Sequence, residues 1–247
     1  MKKRLFFQCT YDGTDYSGWQ KQLNVQTIQG VIEEKLSMLY GNQSVDIVGC
    51  GRTDAGVHAK QAFFHVDLDP LFSIEQLQYK LNNMLPLDIA IDKIIEVAPE
   101  AHARFDATKR TYHYFLHQKK LPFHQNDSWF YPRALSLDKL NEAAQFLLGR
   151  QDFTSFSKLH TDVNNNFCDI YHAEWKVVGD QLRFEISANR FLRNMVRAIV
   201  GTLLEVGKGN IPPAAVREII AAQNRGEAGC SVPAKGLFLE RIEYPYI

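Results

Sequence analysis

The pattern of apolar and polar positions in the first part of the chain predicts the element order strand, helix, strand, strand, helix, strand. Apolar residues from Ile28 to Leu39 recur at helical spacing on one face, and Thr27 stands where a helix N-cap belongs. Ser73 and Gln76 form a capping box before a second helix. The predicted elements are a strand at 3–11, the helix after Thr27, strands at 45–50 and 61–67, the helix after Ser73 and a strand at 89–97.

The rest of the chain repeats this order with one additional helix. Ser136 begins a helix that Gly149 is placed to end, and Gly179-Asp180 is a two-residue hairpin loop. The predicted elements are a strand at 104–117, the helix after Ser136, strands at 172–178 and 182–187, a helix at 191–206, a further helix after Pro212-Pro213 and a strand at 236–244. Residues 158–166, with their run of asparagines, are predicted to form a long loop.

The repeated order predicts an α+β fold made of two ferredoxin-like βαββαβ halves. Two such halves can join their antiparallel sheets edge to edge and leave a central cleft along the sheet. The boundary between the two halves is predicted near residues 98–105, which gives an N-terminal half at 1–103 and a C-terminal half at 104–247.

Composition excludes several classes of protein. The chain has 247 residues, of which 45% are hydrophobic and 23% charged, so it can build a core and is not a disordered protein. The basic N-terminus is not followed by an apolar run long enough for a signal peptide. The longest apolar stretch, at 191–206, contains Arg193 and Arg197 and is therefore no ordinary membrane span. The four cysteines are scattered, which favours reduced thiols and a cytoplasmic location.

The formal net charge is zero, which argues mildly against a partner that is a polyanion. A neutral total can still contain a local basic patch. The candidate sources of such a patch are Lys109-Arg110, Lys119-Lys120 and the arginines at 190, 193 and 197.

The most distinctive local sequence is the run from Gly49 to Ala59, which places Arg52 two residues before Asp54 among three glycines. Such a loop offers a carboxylate for chemistry and a planar cation for phosphate or a base edge. The alternative is an ordinary glycine-rich loop with a solvated ion pair.

Five motifs in collinear order resemble those of the tRNA pseudouridine synthase A family. They are Tyr11-Asp12-Gly13-Thr14-x-Tyr16-x-Gly18-Trp19-Gln20, Gly51-Arg52-Thr53-Asp54-Ala55-Gly56-Val57-His58, His102-Ala103-Arg104-Phe105, Asp152-Phe153-Thr154-Ser155-Phe156 and Met195-Val196-Arg197-x-Ile199-Val200-Gly201-Thr202-Leu203. The resemblance implies an enzyme without cofactor or metal that converts uridine to pseudouridine at positions 38, 39 and 40 of the tRNA anticodon stem-loop. It also implies a homodimer with two RNA-binding clefts. One departure is Cys168-Asp169, where the family commonly has an arginine.

This chemistry needs a carboxylate beside the sugar, and Asp54 is the candidate. It either attacks C1′ or acts as a base at C2′, and the sequence does not decide which. Arg197, on the predicted helix at 191–206, is the candidate catalytic cation. A solvated basic face is the alternative for its arginines, while the resemblance places Arg197 against the aspartate.

Three further residues are candidates for binding the substrate. Tyr112 lies on the predicted strand at 104–117, and the resemblance implies that it packs on the flipped uracil. Arg52 is expected to contact a phosphate or fill the gap that the extruded base leaves, and Arg193 to contact RNA. Tyr114 is expected in the core and His58 in a structural role that stabilises its loop.

Two other functions fit parts of the sequence. Two ferredoxin-like modules could simply bind RNA, although Phe63-Phe64 only faintly resembles the aromatic strands that such modules use. A phosphotransferase with an aspartyl intermediate at Asp54 would need metal-ligating carboxylates and a phosphate loop, and the sequence shows neither.

Overall fold

The fold is α+β. The computed structural model describes residues 2–158 and 165–247, and residues 159–164 of the loop predicted at 158–166 lie outside it. The chain forms two compact units, the first made of Met1–Thr108 and Leu239–Ile247 and the second of Lys109–Phe238. The division predicted between residues 103 and 104 lies a few residues before Thr108, where the first segment of the first unit ends.

The helices and strands follow one another in this order: β1 Lys3–Tyr11, α1 Ile28–Leu39, β2 Val48–Gly49, β3 His58–Leu68, α2 Ile74–Met84, β4 Ile89–Glu96, β5 Lys109–His117, β6 Trp129–Phe130, α3 Leu137–Gln145, β7 Gly149–Asp152, β8 Phe167–Val178, β9 Gln181–Ala188, α4 Met195–Gly207, α5 Ala215–Ala222 and β10 Leu237–Glu243.

The first unit has the strand order β4-β1-β3-β10, and β2 also pairs with β3. Strand β1 is antiparallel to both β3 and β4, and Phe7 and Phe64 on paired positions stack with ring centroids 4.7 Å apart. The predicted caps are confirmed, because Thr27 accepts a hydrogen bond from the Gly30 N–H and Ser73 and Gln76 make a reciprocal capping box.

The second unit has the strand order β5-β9-β8-β7, with β6 pairing with β5. The hairpin predicted at Gly179-Asp180 is confirmed, because Val178 and Gln181 are paired in the β8–β9 ladder. Trp175 and Phe184 are paired across this ladder in the core, with ring centroids 5.0 Å apart. Helix α4 is apolar and almost wholly buried. No helix in the described part of the chain is long and apolar enough to cross a membrane.

Two predicted strands are shorter in the structure. The strand expected at 45–50 is reduced to Val48–Gly49, and the strand expected at 104–117 begins only at Lys109. Residues 102–106 form a turn, in which the His102 N–H donates to Asp106 Oδ2. These local hydrogen bonds compete with extended backbone, which a pattern of apolar residues cannot reveal.

Two predicted helix boundaries were wrong. The helix expected at 191–206 begins at Met195, because Asn194 has φ of 65° and lies outside the right-handed helical region. Arg190 and Arg193 therefore precede α4, and only Arg197 lies on it. Helix α3 ends at Gln145, and Gly149, with φ of 84°, begins β7 instead of ending the helix.

Candidate functional site

Asp54 lies in the loop between β2 and β3, where it is half-buried, while Arg52 is exposed. The neighbouring residue Thr53 fixes the loop at two points. Its carbonyl oxygen accepts the Trp19 N–H at 3.2 Å, and its Oγ1 lies 3.0 Å from the Tyr11 hydroxyl. The residue just before Asp54 is therefore anchored to two buried aromatic residues.

Glycines allow the segment from Gly13 to Trp19 to lie against this loop. Gly18 has φ of 89°, and a Cβ at that position would lie 2.5 Å from the Thr53 carbonyl oxygen. A Cβ at Gly49 would overlap the Trp19 indole, whereas one at Gly51 would meet nothing within 4 Å. Gly18 and Gly49 are thus required by close packing, and Gly51 faces open space.

His58 has the structural role expected for it. Its side chain is buried, the Gly13 N–H donates to its Nδ1 at 3.2 Å, and Asp12 Oδ1 lies 3.0 Å from the same atom. Burial alone would raise the pKa of Asp12, but hydrogen bonds from Thr14 and the nearby His58 outweigh it and lower that pKa. His58 fixes the start of β3 to the loop after β1.

Arg197 lies half-buried on α4 and is fixed by the chain that follows α5. Its Nε donates to the Val232 carbonyl oxygen at 2.7 Å, and the Val232 N–H donates back to the Arg197 carbonyl oxygen at 3.3 Å. Burial raises the pKa of the Tyr114 phenol well above its usual range, and the Arg197 charge opposes this shift. The bond at Nε orients the guanidinium plane.

Arg193 does not share a helix face with Arg197, because α4 begins only at Met195, so the alternative of a solvated basic helix face does not apply to these two arginines. Arg193 is exposed in the turn before α4, and its carbonyl oxygen accepts the Lys158 N–H at 3.1 Å. The turn arises at Asn194, whose left-handed conformation ends any helical register with the residues before it.

Tyr112 is half-buried on β5 and packs edge-on against Phe191, with ring centroids 5.1 Å apart and planes at 88°. Tyr114, two residues further along the strand, is fully buried, and its hydroxyl donates to the Pro233 carbonyl oxygen at 2.9 Å. The expectation that Tyr114 belongs to the core is confirmed. Tyr112 as a whole residue is partly exposed.

Cys168, which departs from the arginine common in the family, lies in β8. Burial raises the pKa of this thiol to about 11, and its Sγ lies 3.9 Å from Met195 Sδ. Position 168 is therefore a packed core position in this chain.

The candidate residues divide between the two units. Arg52 and Asp54 share one loop of the first, while Tyr112, Arg193 and Arg197 belong to the second. Sequence reasoning did not assign Tyr11 a role in fixing the aspartate loop, although it begins the first motif. Within the described ranges, 2–158 and 165–247, no three His, Cys, Asp or Glu side chains form a group that could hold a metal ion.

Comparison with known proteins gives one consistent result. A family profile described as tRNA pseudouridine synthase matches residues 9–106 and 143–245. Three proteins named tRNA pseudouridine synthase A are similar over nearly their whole length. That of Parabacteroides distasonis is 51% identical over 98% of this chain and 96% of its own. That of Bacteroides fragilis is 48% identical over 98% and 97%, and that of Bacillus pumilus 41% over 96% and 98%.

Proposed function

Since this chain belongs to the tRNA pseudouridine synthase family, we propose that it acts on uridines at positions 38, 39 and 40 of the tRNA anticodon stem-loop. The chain is an isomerase that converts uridine to pseudouridine in tRNA. The observation that carries the finer proposal is the similarity, over nearly full length, to proteins named tRNA pseudouridine synthase A. The reaction breaks the C1′–N1 bond, turns the uracil over and joins C5 to C1′. The C5 proton is lost and N1 takes up a proton, so the oxidation state does not change.

The proposed catalytic group is the Asp54 carboxylate, which attacks C1′ or removes a proton at C2′. Both routes need an ionised carboxylate beside the sugar and a fixed backbone. The contacts of Thr53 with Trp19 and Tyr11 support this role, because they fix the peptide next to Asp54. Asp54 is half-buried, which limits the freedom of its side chain while part of the residue remains exposed to solvent.

Arg197 is the proposed cation that stabilises the carboxylate. Its support is the hydrogen bond from Nε to the Val232 carbonyl oxygen, which leaves the charge in one orientation. Tyr112 is the proposed aromatic surface for the flipped uracil, since Phe191 packs edge-on against its ring and the residue is partly exposed. Exposed Arg52 and Arg193 are the proposed RNA contacts that offset the few kcal/mol needed to unstack a base.

This function requires an architecture that brings the units together around the substrate. We propose two ferredoxin-like halves, 1–103 and 104–247, with joined sheets and a central RNA-binding cleft. The antiparallel pairing of β1 with β3 and β4, and of β2 with β3, is the pairing that such a half requires. The protein is further proposed to act as a homodimer in the cytoplasm, and a monomer mass in light scattering at micromolar concentration would contradict the dimer.

The test is pseudouridine mapping on unmodified tRNA with Asp54→Asn and the matched variant Asp46→Asn, an exposed aspartate upstream of the same loop. We expect Asp54→Asn to form no pseudouridine and Asp46→Asn to equal the parent protein. A folded Asp54→Asn protein with full activity would contradict the catalytic assignment. Modification outside positions 38–40 would contradict the site assignment, and binding without turnover by the parent protein would favour an RNA-binding module.

A further inference from the structure

The turn at residues 102–106 is held by its own side chains. The His102 N–H donates to Asp106 Oδ2 at 2.7 Å, and His102 Nδ1 accepts the N–H groups of Arg104 and Phe105 at 3.1 and 3.3 Å. These three bonds join both ends of the turn and restrict its backbone.

Side chains from elsewhere in the first unit fix the same turn. The Ala103 N–H donates to His65 Nδ1 at 3.1 Å, and the Ala103 carbonyl oxygen accepts the Tyr244 hydroxyl at 2.5 Å. The Tyr246 hydroxyl donates to Asp106 Oδ2 at 2.8 Å. Strand β3 and the C-terminal segment therefore both anchor this turn.

The anchored turn presents an aromatic ring and a cation to solvent. Phe105 is 73% exposed, and its ring lies 4.3 Å from the His102 ring, which supports it from within the unit. The Arg104 Cζ lies 5.6 Å from the Phe105 centroid, and Arg104 is also exposed. A single exposed apolar side chain is common on protein surfaces and needs no explanation. Here the exposed ring lies beside a cation, and the turn that carries both is held by several hydrogen bonds, so a binding role is the better explanation.

We propose that Phe105 and Arg104 stack an unpaired nucleotide of the tRNA, outside the uridine that reacts. Bound single-stranded bases are stacked on aromatic rings and on guanidinium planes, and the adjacent positive charge favours the phosphate backbone. The fixed turn lowers the ordering cost of this contact. This inference rests on the proposed function, because it takes tRNA as the ligand.

The test measures binding of unmodified tRNA in the Asp54→Asn background, where turnover does not disturb the equilibrium. We expect Phe105→Ala to weaken binding about 5- to 150-fold, the effect of losing one stacked base. Phe105→Trp should restore it, and Phe105→Leu, which is apolar but not aromatic, should not. The matched control is Phe123→Ala, since Phe123 is 97% exposed and lies in a short helical turn without a side-chain cap.

Several results would overturn the inference. Binding by Phe105→Ala equal to that of the parent would remove the contact, and rescue by Phe105→Leu would show that stacking is not required. A change in particle mass of Phe105→Ala in light scattering would assign the ring to a contact with a second copy of the chain.

Failure of this inference and failure of the proposed function give different results. If the parent protein forms pseudouridine while Phe105→Ala binds normally, only the stacking contact is wrong. If the parent protein binds tRNA through Phe105 but forms no pseudouridine, the contact stands and the proposed function is wrong. If the parent protein binds no tRNA, both are wrong.

Discussion

At the scale of single residues, the buried histidine His65 fixes a turn of the first unit. Its Nδ1 accepts the Ala103 N–H. A ring nitrogen can accept a hydrogen bond only while it carries no proton. The neutral ring of His65 is therefore part of the anchor that positions the turn at 102–106.

The pKa of His65 predicts how stability depends on pH. Burial, followed by the Arg4 charge, lowers the pKa of His65 to about 4 from its usual value of 6.5. Above pH 6.5 the ring is neutral in both states and has no effect. Between pH 6.5 and 4 the unfolded chain binds a proton that the folded chain does not, so the folded state loses stability as the pH falls. The loss approaches about 3 kcal/mol at pH 4.

Denaturant unfolding at pH 7.5, 6 and 4.5 measures this loss. The matched variant is His65→Asn, whose Oδ1 can accept the Ala103 N–H without titrating. We expect its free energy of unfolding to depend less on pH in this interval than that of the parent. Equal pH dependence of the two proteins would contradict a neutral, hydrogen-bonded His65.

At the scale of elements, local signals were sufficient where the stabilising partner is close in sequence. The caps at Thr27 and Ser73 and the turn at Gly179 were predicted because each depends on residues within a few positions. The late start of β5 and the start of α4 at Met195 were not. The turn at 102–106 that delays β5 is held by its own side chains and also by His65 and Tyr244, which lie far from it in sequence. The start of α4 is set by the left-handed backbone of Asn194, which a pattern of apolar residues does not reveal.

Helix α4 illustrates a further constraint that is not visible in a hydrophobic pattern. Its face at Arg197 and Gly201 lies against residues 229–232, where a Cβ at position 201 would overlap the Cys230 carbonyl oxygen. The sequence motif contains this glycine, but only the packing explains it. The same segment supplies the Val232 carbonyl oxygen that orients Arg197.

We expect Gly201→Ala to lower the free energy of unfolding by about 2 kcal/mol, because displacing backbone costs more than the roughly 1 kcal/mol that alanine gains in a helix. Moving Val232 should also displace Arg197 and reduce kcat about 10-fold or more. Denaturant unfolding and single-turnover kinetics measure the two effects. Gly51→Ala is the control for stability, since its added methyl group meets nothing within 4 Å. If Gly201→Ala unfolds at the same denaturant midpoint as the parent protein, the close packing at position 201 is disproved.

At the scale of the whole molecule, the charges of the chain restrict how it can attract RNA. Lysine and arginine together number 28, and so do aspartate and glutamate, so the formal net charge at pH 7 is zero. Long-range attraction by net charge is therefore absent, and affinity for a polyanion must come from local groups. The proposed role of Arg197 beside Asp54 rests on the family resemblance alone, because periodicity says nothing about residues in different units.

The salt dependence of tRNA binding tests which cations act locally. A side chain that neutralises one phosphate contributes about one to the slope of log Kd against log salt concentration. We expect Arg52→Gln and Arg193→Gln each to reduce this slope by about one and to weaken binding of different tRNAs equally. The control is Lys3→Gln. Lys3 is paired with Glu96 at the start of β1, about 26 Å along the strand from Tyr11, which contacts the Asp54 loop. An unchanged slope in Arg52→Gln would mean that Arg52 contacts no phosphate. Arg52 would then be expected to fill the gap left by the extruded base.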